Sequence, residues 1–157
     1  MPLVGLLVLS VGVWVVLAIA RGDGQRETAL DAAIKSADNA FQLGDFQKSS
    51  AELEKAVAHA KTDEEKIALY TSMAASAASA GKMSQAIEFM EQKHAIDREL
   101  VKSDAYLLGT YYERIGDTSE ALEQYKIALA YQRSLPKSTT TDAKIRSLQA
   151  RITSLGG

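Results

Sequence analysis

Cysteine is absent from the 157 residues, which excludes disulfides, thiolate metal sites, cysteine nucleophiles and a lipidated cysteine. Proline is nearly absent as well. Pro2 and Pro136 are the only two, and both lie outside the repeat helices identified below, which fits a nearly all-helical chain. Neither sign of charge prevails: 18 Lys and Arg stand against 20 Asp and Glu, for a net charge of −2. The cations are scattered among the acids, so the basic stripe that nucleic acid needs is missing and no nucleic-acid partner is expected. Histidine occurs twice, as His59 and His94. Glu91, His94 and Asp97 share a helix face, a pattern that solvated helices carry routinely, so no metal is assigned. There is no glycine-rich phosphate loop, nucleophile elbow or His-Glu-x-x-His pattern. No cofactor is expected, and the chain is not expected to be an enzyme.

Charge is also missing from one long stretch. Residues 2–20 carry none and consist mainly of Leu, Val, Ile, Ala and Gly with Trp14. As a helix this stretch would span roughly 28 Å, close to the hydrocarbon thickness of a bilayer. It reads as a single-pass N-terminal membrane anchor. The alternative is a signal peptide cleaved after Ala18-Ile19-Ala20, although the basic start of such peptides is missing. Arg21 and Arg26 follow the stretch and lean the remainder weakly toward the cytoplasmic side. Cleavage before Arg21 would instead release a secreted or periplasmic module. Residues 21–26 read as a linker, and 27–157 as one folded domain.

Within that domain, Gly44, Gly81 and Gly116 recur at intervals of 37 and 35 residues, each between two helical patterns. Periods of this length mark helical units that bury their apolar faces only by stacking on one another. The patterns predict helix pairs at about 28–43 with 46–61, 63–80 with 84–100, and 104–115 with 119–134, followed by a last helix at 141–154. Thr62 with Glu65 and Asp117 with Glu120 have capping-box spacing; Thr139 with Asp142 is a weaker version. Each glycine sits where a helix must end and the chain reverse, a place that favours positive φ.

The third pair carries Leu108, Gly109, Tyr112, Gly116, Asp117, Ala121, Tyr125 and Ala128 in a register that resembles the tetratricopeptide repeat family. The second carries Tyr70, Met73, Ala74, Ala77, Gly81, Ala86 and Met90, with Lys93 where a small residue is expected. The first keeps Ala37, Ala40, Gly44, Leu53 and Ala56, with Ser49 in place of alanine. The family's terminal proline is missing from each. The resemblance implies an all-α fold: a right-handed α-solenoid of three repeats (about 28–61, 63–100 and 103–135) and a capping helix. Gly109 and Ala121 would let paired helices approach closely, while Tyr70, Tyr112 and Tyr125 would pack in the core. Ile145, Leu148, Ile152 and Leu155 would cover the third repeat with one apolar face.

The same resemblance implies a concave peptide groove lined by the first helix of each pair. Its positions here are Asp31, Ile34, Asp38 and Phe41; Ala68, Thr71, Ala75 and Ala78; and Ser103, Tyr106, Thr110 and Glu113. The lysine and asparagine with which chaperone-type members clamp a terminal carboxylate are missing from these positions. The groove therefore suggests a peptide or helix with apolar anchors and a basic flank, facing acids at both ends. Two classes of function stay open at this point. One is a membrane-anchored adaptor that holds a protein partner; the other is a homo-oligomeric structural component of an envelope or secretion assembly.

Overall fold

The computed structural model describes residues 29–156, which form seven α-helices and, among the described residues, no strand. The chain divides into two compact units, one ending at Ile96 and the other beginning at Asp97. Among the described residues no helix is long and apolar enough to cross a membrane. The expected anchor (2–20) and linker (21–26) lie outside the described residues.

The first unit contains α1 (Ala29–Gln42), α2 (Phe46–Val57), α3 (Asp63–Ser79) and α4 (Met83–Ile96). These form two helical hairpins, with α2 packed on α3. Leu30, Ile34 and Ala37 fall on one stripe of α1 because a helix turns about 100° per residue, and they meet Leu53 and Ala56 of α2 and Ala68, Leu69 and Met73 of α3. Tyr70 and Phe89 pack at the edge of this cluster, half-buried.

Ser49, a departure from the repeat pattern, has a structural partner. Its Oγ lies 3.2 Å from Ser76 Oγ, a buried bond between α2 and α3. Two buried hydroxyls satisfy each other there, where alanine would leave one of them without a partner.

The second unit contains α5 (Leu100–Arg114), α6 (Thr118–Ser134) and α7 (Thr139–Ser154), with α6 packed on both α5 and α7. Its core is built around a single ring. Tyr125 is 1% exposed and is surrounded by Ala105, Ala121, Ala128 and Leu148. A Cβ added to Gly109 would stand 2.9 Å from two atoms of that ring, so the glycine sets how closely α5 and α6 can approach. Ile152 and Leu155 of α7 pack against the same cluster.

The three glycine turns within the helical hairpins share one geometry. Gly44, Gly81 and Gly116 adopt φ of 78°, 79° and 83°. In each, the glycine N–H donates to the carbonyl three residues back, and the next N–H to the carbonyl five back: Asp45 to Ala40, Lys82 to Ala77, and Asp117 to Tyr112, all at 2.9 Å. The bonds use carbonyls that the helix end leaves without an internal partner. Asp45 and Asp117 then cap the following helices, accepting from the N–H of Lys48 at 3.0 Å and of Glu120 at 3.1 Å. Thr62 and Glu65 form the full reciprocal capping box at the start of α3.

Three boundaries differ from expectation, each for a local reason. Helix α2 stops at Val57 instead of running to 61, because Glu65 Oε2 accepts from the N–H of both Lys61 and Thr62 and commits them to the start of α3. The break before α5 falls at residues 97–99, where Asp97 Oδ1 accepts from Glu99 N–H at 2.9 Å. Glu99 makes no side-chain cap, so the sequence gives no start signal before Leu100. Ser138, rather than Thr139, caps α7 through the N–H of Thr141, and the helix begins two residues early.

Candidate functional site

The twelve expected groove positions do not behave alike. Ile34 is 1% exposed and Ala68 is also buried; both belong to the first unit's core. The cause is angular. Ile34 completes the buried stripe with Leu30 and Ala37, and Ala68 lies beside Leu69 where α3 meets α1 and α2. Asp31, Asp38 and Phe41 are half-buried, as are Thr71, Ala75 and Ala78. Phe41 is engaged with Phe46 across the first turn, ring centroids 4.9 Å apart. The Thr71 hydroxyl donates to Ile67 O at 2.8 Å, so its proton is occupied within its own helix.

In the second unit the four expected positions lie along α5, and two of them, Ser103 and Tyr106, border concave space. Ser103 and Tyr106 line a cleft of about 360 Å³ with Gln132 of α6 and Lys144, Ser147 and Leu148 of α7. Tyr106 and Ser147 also line an adjoining cleft of about 370 Å³ with Ala150, Arg151 and Ser154. Tyr106 stands between the two lobes, 54% exposed, with its ring centroid 5.9 Å from that of Tyr125.

Thr110 and Glu113 continue the stripe and enter a polar network. Glu113 Oε2 accepts from the Tyr125 hydroxyl at 2.8 Å and from Arg151 Nε at 2.9 Å. Tyr125 also points its hydroxyl toward Thr110 Oγ1 at 3.4 Å. The Thr110 hydroxyl donates to Tyr106 O at 3.0 Å, and that of Ser103 to Leu100 O at 2.9 Å, leaving both oxygens as acceptors. Burial raises the Tyr125 phenol pKa; Thr110 opposes the shift and the Glu113 carboxylate adds to it. Burial likewise raises that of Tyr111 on α5, with Arg114 opposing and Asp104 adding. Burial thus favours the neutral form of both phenols, and the Tyr125 hydroxyl acts as a donor to Glu113.

This network alters the expected charge of the groove. Glu113 was read as an acidic end, but its carboxylate is matched by Arg151 and hydrogen-bonded by Tyr125. What faces the cleft from α7 is cationic: Lys144 in one lobe and Arg151 in the other. Neither residue was among the sequence candidates. Their signal was available in the seven-residue spacing, two helical turns, which places Lys144 and Arg151 on one face with Leu148 between them.

The cleft has space, an aromatic wall, hydroxyl and amide groups and two cations, an arrangement fitted to holding a ligand. Among the described residues no three His, Asp or Glu side chains converge as metal ligands would. No protein-family model matches this chain, and no curated protein matches it significantly.

Proposed function

We propose that this protein is a non-catalytic binding module that holds a peptide or helix of a protein partner, with its hairpins stacked as tetratricopeptide-like repeats in a right-handed α-solenoid. In this reading residues 2–20 anchor the module in a membrane, and α7 serves as both cap and part of the binding wall. The observation that carries the reading is the cleft beside α5. Ser103 and Tyr106, singled out by register, border it together with α7. An exposed aromatic ring in a concave, hydroxyl-lined space is a common anchor point for a partner side chain.

The test is a crosslinking pull-down from native membranes with the full chain and its Tyr106→Ala and Thr71→Arg variants. Loss of the recovered partner with Tyr106→Ala supports the cleft. Loss with Thr71→Arg extends the binding surface to α3. Unchanged recovery with both variants overturns the groove reading.

A further inference from the structure

Among the described residues that line the two adjoining lobes beside α5, the charged side chains are Lys144 and Arg151, and none is a carboxylate. The nearest acid on the predicted groove stripe, Glu113, is engaged by Arg151 Nε and the Tyr125 hydroxyl. Arg151 meets Glu113 through Nε and also lies against the Tyr125 hydroxyl, yet its side chain remains half exposed, so part of its five-donor guanidinium faces solvent where a second acceptor can reach it. Lys144 is exposed and stands one turn before Leu148, which is buried beneath the cleft.

We infer that the cleft between α5 and α7 takes an acidic segment of a partner protein, read through its side-chain carboxylates around one apolar residue. The inference deepens the peptide-binding reading above and rests on it. Dimensions favour a segment over a small anion. Lys144 and Arg151 are seven residues apart on α7, a rise of about 10 Å. An extended chain advances about 3.3 Å per residue and presents alternate side chains to one side. Acid, apolar and acid residues at alternate positions set the two acids about 13 Å apart along the backbone, and the reach of the glutamate, lysine and arginine side chains takes up the difference, so that one carboxylate lies near each cation and the apolar side chain against Tyr106. The two lobes meeting at Tyr106 supply room for such a run, where a single phosphate would fill only part of one.

The experiment measures fluorescence anisotropy with the full chain in detergent and a labelled peptide of pattern Glu-Ser-Leu-Ser-Glu. The peptide is acetylated and amidated so that no terminal charge contributes. A counterpart with lysine for glutamate and a titration with inorganic phosphate complete the set. The expected result is preference for the acidic peptide by tenfold or more, weakened by salt. Lys144→Glu, an exposed change outside the Glu113 network, should reverse that preference while the circular dichroism melt stays unchanged.

Equal binding of both peptides, or binding indifferent to Lys144→Glu, overturns the acidic assignment. If Tyr106→Ala still abolishes that binding, the cleft survives and only its charge class falls. Binding of neither peptide overturns the acidic inference, while the pull-down with Tyr106→Ala separately decides the cleft. Full displacement by phosphate at concentrations equal to the peptide's reduces the site to a simple anion site and also overturns the inference.

Discussion

At corresponding positions of the two units, α3 carries Ala68, Thr71, Ala75 and Ala78, whereas α5 carries Ser103, Tyr106, Thr110 and Glu113. The first set is small, and one member is buried in the core. The second is more polar, and two of its members, Ser103 and Tyr106, border a cleft. The cores differ in the same direction. Ile34, Leu69 and Met73 fill the first with aliphatic side chains and methionine, while alanines in the second surround the Tyr125 ring. A helical scaffold needs only volume and close approach at its buried positions, so aliphatic packing suffices for one unit. The other places a phenol in its core and brings the hydroxyl out to a carboxylate, coupling packing to a polar surface.

Truncating the central ring should break this comparison most severely. Tyr125→Ala removes a buried aromatic that alanines cannot replace and is expected to cost about 3–5 kcal/mol in urea denaturation. A loss below about 1 kcal/mol would show that the second unit does not depend on this ring. Next comes Gly109→Ala. Its Cβ would meet the Tyr125 ring at 2.9 Å. The expected overpacking cost of about 1–3 kcal/mol exceeds the helix-propensity gain of up to about 1 kcal/mol, so a lower melting temperature should follow.

In the first unit, Ser49→Ala should destabilise by about 1 kcal/mol because Ser76 loses its hydroxyl partner. Ser49→Ala combined with Ser76→Ala should recover most of that loss. A double variant no better than the single would remove the hydrogen bond as the reason for serine there.

The smallest effect is in alkali. Tyr111 and Tyr125 have phenol pKa values raised above the ordinary value near 10, chiefly by burial. Their contribution to stability is complete below that value and declines as pH rises through the higher folded-state values, since the unfolded chain ionises first. Denaturation profiles from pH 8 to 12 should show this decline, reduced in Tyr125→Phe. A Tyr125→Phe profile parallel to that of the wild type would assign the decline to other groups.

The turns were the most legible part of the fold. Glycine at positive φ and acid or threonine caps are local chemistry, and the three shared turns and the Thr62 box follow from neighbouring residues alone. Boundaries failed where the signal was weak, as at Glu99, or where a competing bond claimed the residues, as at Lys61. Which of the groove candidates turn toward the core was not legible. A stripe at three- and four-residue spacing lies close to the buried face, so Ile34 and Ala68 fell on its inner side while Asp31 and Thr71 did not. The charge of the cleft was not legible. It depends on Arg151 meeting Glu113 across 38 positions of sequence, a pairing that only the packing of α7 creates.

One oxygen atom, Glu113 Oε2, receives a donor from α6 and another from α7 while belonging to α5. Three helices thus meet at a single point of charge, and local opening of any one must disturb that point. In hydrogen–deuterium exchange terms, the backbone amides of α7 around Arg151 should exchange together with the α5–α6 hairpin instead of fraying ahead of it. A ligand seated beside Arg151 would then slow exchange in all three helices, including stretches it never touches.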